Sequence, residues 1–292
     1  PMMRTTPLTP RFGVEITGID LETLDAPGFS EIRAAFERHS VLLFRGQEIS
    51  PEAHLRLAQM FGPLEDRHAD EKAPGEAFKI PEVSNVRADG SVSGEMDIHT
   101  LNLKSNFLWH TDSTFLPVPA LANIITARVV TSEGGETELA STRAAWADMT
   151  GEMREKLKDA VVWHRYAHSR ARISPELAKL PLFTKWPDRA WRAVWPNPET
   201  GEEAVYLASH AFRIEGMDPD EGAALIDEAI AFCTQPAYTY LHRWEVGDLI
   251  IFDERATLHR GRPWPYEEPR TLASICVSAG PRDGLDAVRP EA

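Results

Sequence analysis

The 292-residue sequence predicts a mainly β fold with helices, a β-sandwich or jelly roll decorated by α-helices, in a single domain over residues 1–292. Three observations predict it. Apolar, β-prone runs recur along the chain and dominate its C-terminal third. Helical periodicity is confined to early and inserted segments. No repeat, low-complexity tract or linker divides the chain.

Residues 14–21 alternate apolar and polar side chains, which reads as a strand ending near Asp20. Ser30 reads as the N-cap of a short helix that puts Ile32, Ala35 and Phe36 on one face. Val41-Leu42-Leu43-Phe44 is a compact apolar run, a buried strand. Ser50-Pro51 sets an N-cap and a first-turn proline, and Leu55, Ala58 and Phe61 continue that helix to Gly62. Residues 66–108 are rich in charge, Gly and Asn; they read as a long active-site loop or lid with a strand at 83–86 inside it. Residues 122–130 are apolar and β-prone, and Gly134-Gly135 turns into a strand at 137–139. Two helices follow, at 142–149 and 150–163. Residues 165–203 hold several Pro and Trp without a period and are expected to form an irregular insertion. Val205-Tyr206-Leu207 is strand-like, and Asp218 or Pro219 opens a helix through Phe232. Strands close the chain at 239–244, 248–252 and 271–279, with Gly247-Asp248 marking a hairpin between the first two.

The formal net charge of -14 argues against a nucleic-acid partner, which needs basic surface. It leaves an anionic small substrate open, because a few pocket arginines override a global balance. Two cysteines, Cys233 and Cys276, lack metal-type spacing and fit a reducing compartment. The N-terminal residues lack the apolar core of a signal peptide, and no apolar run approaches the ~20 residues that span a bilayer. The expectation is a cytoplasmic homo-oligomer with a small-molecule substrate and no membrane partner.

The chemistry centres on Trp109-His110-Thr111-Asp112-Ser113-Thr114-Phe115. In a strand, residues i and i+2 share a face, so His110 and Asp112 could reach one metal ion. The late segment Phe252-Asp253-Glu254-Arg255-Ala256-Thr257-Leu258-His259-Arg260-Gly261 supplies a third ligand, His259. Two histidines and a carboxylate suit Fe(II), Zn(II) or Mn(II), and with open positions they are the non-haem Fe(II) oxygenase arrangement. An isolated HxD is more often structural, and ten histidines offer many chance partners. The surroundings carry more weight: Gly134-Gly135-Glu136-Thr137, the block from Gly247-Asp248 to His259-Arg260, Arg270, and the early Val41-Leu42-Leu43-Phe44-Arg45-Gly46-Gln47 and Phe61-Gly62-Pro63-Leu64.

With these motifs the chain resembles the taurine/2,4-D dioxygenase family of Fe(II)- and 2-oxoglutarate-dependent oxygenases over about residues 10–280, closest in flavour to its phenoxyalkanoate members. The resemblance implies a double-stranded β-helix, a jelly-roll, cupin-like core. It implies His110, Asp112 and His259 as Fe(II) ligands, and Thr137 with Arg270 as partners of the distal carboxylate of 2-oxoglutarate. It implies O2 as co-substrate and hydroxylation of a C–H bond, with cleavage where the hydroxylated carbon carries an ether oxygen. Asp112 stands where related halogenases have Ala or Gly, so hydroxylation is favoured over chlorination. The best-known members carry a substrate arginine four residues beyond the 2-oxoglutarate arginine; here that position is Ser274. Asn106 matches a pocket asparagine of the family, and His210 and Arg213 align with a substrate-side segment. Arg213, helped by Asn106 and His210, is therefore the expected anchor of an organic acid. Arg170 and Arg172 are further candidates, and Trp195, Phe107 and Phe115 are candidate pocket aromatics. An amino-acid-derived, sulfonate or sulfate substrate is the alternative within the same chemistry. A less favoured alternative is a zinc hydrolase using the same three ligands, which gives Arg270 with Thr137 no role; a third is a non-catalytic jelly-roll binding protein whose histidines merely pack.

Overall fold

Four successive apolar residues, Val41–Phe44, can bury only if both faces of their strand are covered. They are buried at every position, as are all five of Leu249–Asp253 beside them. The alternation of a strand sends Leu42, Phe44, Leu249 and Ile251 to one face and Val41, Leu43, Ile250 and Phe252 to the other. The first face packs against Ile32 and Phe36 of helix Ala26–His39 and Leu57 and Phe61 of helix Pro51–Phe61. The second packs with Leu139 of a smaller sheet. The functional residues lie on this inner side.

The computed structural model describes residues 3–68 and 71–291; the N-terminal reading at residues 1 and 2, and residues 69 and 70 of the 66–108 segment, lie outside it. Among the described residues the larger sheet runs Arg4–Pro7, Val14–Thr17, Val41–Phe44, Leu249–Asp253, Ala120–Val129, Thr271–Ser278, Glu82–Ser84. The sheet that faces it runs Thr239–His242, Thr137–Ser141, Thr257–Gly261, and two further small sheets pair Ala211–Ile214, Val161–His164 and Arg189–Arg192, and Glu203–Val205 with Val194–Pro196. The whole is a mixed α/β architecture. No helix among the described residues is long and apolar enough to cross a membrane.

Several elements differ from the sequence reading. The first helix begins at Ala26, capped by Asp25, whose Oδ1 accepts the Gly28 N–H at 2.8 Å; Ser30 lies inside it. Asp25 with Pro27 is the stronger start signal. Ser50 and Asp218 cap their helices, Pro51–Phe61 and Pro219–Cys233, as read. The helix expected over 150–163 stops at Leu157, and Val161–His164 is a strand, in keeping with its β-prone Val-Val-Trp. Gly247-Asp248 is no hairpin: Thr239–His242 and Leu249–Asp253 belong to different sheets, and the glycine turns the chain between them at φ 93. The segment 165–203 is ordered, with helices Tyr166–Ala171, Pro175–Ala178 and Pro181–Thr184 and strands Arg189–Arg192 and Val194–Pro196. Within 66–108 there are a strand, Glu82–Ser84, and a helix, Ile98–Lys104. Arg4–Pro7, exposed at every position, offered no hydrophobic pattern to read.

Candidate active site

His259 lies on the strand Thr257–Gly261, and His110 is paired directly opposite it. The His110 N–H donates to the His259 carbonyl at 2.9 Å, and the His259 N–H returns a bond at 2.8 Å. The His110–Asp112 segment is not a regular strand beyond this bridge, because the chain turns at Asp112 and Ser113 adopts φ 70. A left-handed conformation costs a non-glycine residue energy. Here the Ser113 hydroxyl bonds the Glu65 carboxylate and accepts from Arg67 Nη2 at 3.2 Å.

Asp112 still reaches both imidazoles, Oδ1 at 3.7 Å from His110 Nε2 and Oδ2 at 3.6 Å from His259 Nε2. The three ligand atoms lie within 4.8 Å of one another. His110 Nδ1 donates to the Leu108 carbonyl at 2.8 Å, which leaves the Nε2 lone pair toward Asp112. Asp112 is oriented in turn: Asn123 Nδ2 donates to its Oδ2 at 3.1 Å, and the Ser274 hydroxyl donates to Asn123 Oδ1 at 2.8 Å. Ser274 thus steadies the Asp112 carboxylate through Asn123. Burial holds both His110 and His259 below their usual pKa, His259 down to about 3. Burial alone would raise Asp112, but His259, Glu254, His110 and Arg67 outweigh it and hold the carboxyl well below its usual range. Two neutral imidazoles and a carboxylate with converging lone pairs fit a divalent cation.

Glu254 is the residue that sequence reasoning missed. Its Oε2 accepts the Asp112 N–H at 3.0 Å, and its Oε1 lies 3.7 Å from His259 Nδ1. Both of those facing atoms, Oε1 and Nδ1, are buried without another partner. Burial, then the neighbouring Asp112, pushes the Glu254 carboxyl well above its usual pKa. The flanking Asp253 and Arg255 pair with each other at 2.8–2.9 Å and fix this turn, with Arg255 also reaching Glu37 at 2.7 Å. The available signal was three successive charged residues at the end of an apolar strand. Glu254→Ala is expected to weaken divalent-metal affinity by about 10–100-fold, the usual effect of losing an outer partner of a ligand. Glu254→Gln, which keeps an acceptor, should recover most of it. Calorimetric titration with Mn(II) reads both, and an unchanged alanine variant would remove Glu254 from the site.

The second half of the site is built on Arg270. Asn85, fully buried, accepts the Arg270 N–H at 2.9 Å and donates to the carbonyls of Glu268 and Tyr266 at 2.9 and 3.3 Å. Among the described residues the guanidinium donates only to the Gly135 carbonyl, at 2.9 and 3.2 Å, and it lies over Trp264 at 4.8 Å. Burial brings it down to about 10. Gly135 has φ +70, and a Cβ there would stand 3.0 Å from Arg270 Nε, so the bare backbone is what lets the arginine in. Thr137 Oγ1 accepts from Trp244 Nε1 at 2.8 Å, leaving its own hydrogen to donate. A buried guanidinium with no carboxylate in ion-pair reach among the described residues, sharing a cavity with a hydroxyl that can still donate, fits an anionic co-substrate.

His110, Asp112, His259, Thr137 and Arg270 line one cavity of about 950 Å³, with Asn106, His210, Phe107, Phe115 and Arg170 on its walls. Arg213 does not reach it. That residue sits half-buried on the strand Ala211–Ile214 with its guanidinium 5.0 Å from the Trp163 ring, so its expected place against the substrate is corrected. Arg172 is exposed, and Trp195 belongs to the core, donating to the Asp283 carbonyl at 2.9 Å.

The profile of the "Taurine catabolism dioxygenase TauD, TfdA family" matches residues 4–276. A protein of Sphingobium herbicidovorans named (S)-phenoxypropionate/alpha-ketoglutarate-dioxygenase is 30% identical, over 96% of each chain. The alpha-ketoglutarate-dependent 2,4-dichlorophenoxyacetate dioxygenase of Cupriavidus pinatubonensis is 32% identical over 91% of this chain and 94% of that one. The crystal structure of AAD-2 in complex with Mn(II) and N-oxalylglycine superposes with a TM-score of 0.88, at 30% identity over 98% of this chain and 99% of that one. The chain belongs to the taurine catabolism dioxygenase TauD, TfdA family and is an alpha-ketoglutarate-dependent dioxygenase.

Proposed function

We propose that the protein binds Fe(II) through His110, Asp112 and His259 and hydroxylates a C–H bond of a small organic acid, releasing an ether-linked group where that carbon bears an ether oxygen. The observation that carries this reading is the shared cavity: three converging ligand atoms at one place and, at another, the buried, carboxylate-free Arg270. Fe(II) with 2-oxoglutarate and O2 supplies oxidative decarboxylation, so that substrate C–H, 2-oxoglutarate and O2 become substrate C–OH, succinate and CO2. Within this scheme Arg270 and the Thr137 hydroxyl hold the distal carboxylate, and Asn123 with Ser274 fixes the Asp112 carboxylate. His210 and Asn106 line the substrate side, with Phe107 and Phe115 giving an apolar wall. We also infer that the two sheets are the faces of a double-stranded β-helix, in keeping with the superposition on a family structure.

The substrate class rests on relatives named for phenoxypropionate and 2,4-dichlorophenoxyacetate and on the aromatic lining. Purified protein given Fe(II), 2-oxoglutarate, O2 and a panel of aryloxyalkanoic acids should form succinate in step with a hydroxylated or ether-cleaved product. Succinate formation that ignores Fe(II), or its absence throughout the panel, would count against the proposal.

A further inference from the structure

Five arginines are buried in the described chain: Arg33, Arg143, Arg170, Arg255 and Arg270. Burying an unpaired charge is costly, so each should have a carboxylate nearby. Arg33 has Asp283 at 2.6 Å and Glu37 at 2.8 Å, Arg255 has Glu37 at 2.7 Å and Asp253 at 2.8 Å, and Arg143 has Glu202 at 3.4 Å. The two exceptions, Arg170 and Arg270, both line the metal cavity: among the described residues neither has a carboxylate in ion-pair reach, and the charges of Asp112 and Glu136 act on them only from farther off. Arg270 is accounted for by the distal carboxylate of 2-oxoglutarate. No anion has been assigned to Arg170.

Arg170 projects from the helix Tyr166–Ala171 and is 8% exposed. Its donors meet only neutral oxygens: Ser169 Oγ at 3.0 Å, Asn102 Oδ1 at 3.3 Å and Tyr166 OH at 3.5 Å. Its guanidinium carbon is 4.4 Å from the Tyr166 ring centre and 5.0 Å from that of Phe183. Arg67 shares the Tyr166 hydroxyl at 3.3 Å but is paired with Glu65 at 3.1 Å, so it adds no uncompensated charge. Tyr166 stacks on Phe115 at 3.8 Å, and His210 meets both rings edge-on at 5.4 and 5.5 Å. Arg170 therefore stands beside an aromatic wall that begins three residues after Asp112.

We propose that Arg170 anchors the carboxylate of the organic acid, with Phe115, Tyr166 and His210 packing its apolar body. This rests on the oxygenase reading above and replaces Arg213 in the anchoring role. One guanidinium fork and one carboxylate match in charge and geometry. Arg170 lines the same cavity as His110, Asp112 and His259, so the anchored acid would share one chamber with the metal ligands.

The test uses full-length protein loaded with Mn(II) and 2-oxoglutarate, titrated calorimetrically with (S)-2-phenoxypropionate and phenoxyacetate and with their amides. Wild type should bind at least one acid about 30-fold or more tighter than its amide, the lower end for a buried charge pair. Arg170→Gln should abolish that preference, Arg170→Lys should keep part of it, and Arg213→Gln should keep all of it. The proposal is overturned if wild type binds neither acid, if acid and amide bind alike, or if Arg170→Gln retains the preference. The preceding 2-oxoglutarate titration is a separate readout: failure of wild type there defeats the oxygenase reading. Should Arg170→Gln lose 2-oxoglutarate as well, the Arg170→Lys variant and the wild-type acid–amide comparison decide.

Discussion

His259→Ala should reduce 2-oxoglutarate-dependent turnover to background while leaving the protein folded. The variant removes one of three convergent donors, so its metal affinity should fall by more than the about 10–100-fold that losing an outer-shell partner costs. The fold should persist because the imidazole is not what holds the strands together. The reciprocal bonds between residues 110 and 259 are made by backbone groups and survive the substitution. The missing ring leaves space beside Phe252, whose ring centre lies 4.6 Å away, so some loss of thermal stability is expected. Mn(II) titration, circular dichroism and succinate assay together test this. Wild-type activity in a folded His259→Ala protein would refute the ligand assignment.

Arg270→Ala should raise the 2-oxoglutarate concentration needed for half-saturation by orders of magnitude. Removing one partner of a buried charge pair costs about 2–5 kcal/mol, or about 30-fold to several thousand-fold in affinity. The same substitution takes away the group that occupies the Gly135 carbonyl and packs on Trp264. Arg270→Lys therefore makes a useful companion: it keeps the charge and loses the fork, and should fall between the two. Calorimetry with Mn(II)-loaded protein measures binding without turnover. An unchanged 2-oxoglutarate affinity in Arg270→Ala would take the residue out of the co-substrate site.

The candidate ligands His110, Asp112 and His259 were legible because the motif around His110 and Asp112 is local, because an apolar strand pattern leads directly to His259, and because the family resemblance joins the two. Arg270 was legible in the same way, from its position at the head of a buried strand. The caps at Ser50 and Asp218 and the buried Val41–Phe44 strand also rest on interactions within a few residues. What escaped depends on approach between distant segments. Arg170 in sequence is an arginine in a stretch without periodicity; only the packing of its helix on Phe115 and Asn102 shows that its donors meet neutral oxygens. Arg213 looked equally suitable in sequence, but its strand pairing turns it toward Trp163. Glu254 was visible in its motif without a role, since its partners, the Asp112 amide and the His259 ring, meet it only in the folded chain. The crossover at Gly247-Asp248 read as a hairpin because glycine turns chain in either case.

The paired backbone of His110 and His259 has a thermodynamic consequence. Where ligands are scattered in the unfolded chain and brought together only by the ion, metal binding and folding are one event. Here two hydrogen bonds of ordinary length already oppose the two histidines, so the entropy of assembling them is met by strand pairing. A bound ion would then stabilise the protein by mass action alone, by about 1.4 kcal/mol for each tenfold excess of free metal over its dissociation constant. Chelation is therefore expected to leave a folded, reloadable apoprotein rather than an unfolded one, which circular dichroism before and after EDTA checks. Which divalent ion such a site takes would thereby be decided by supply and relative affinity at a standing receptor, and not at the moment the chain folds.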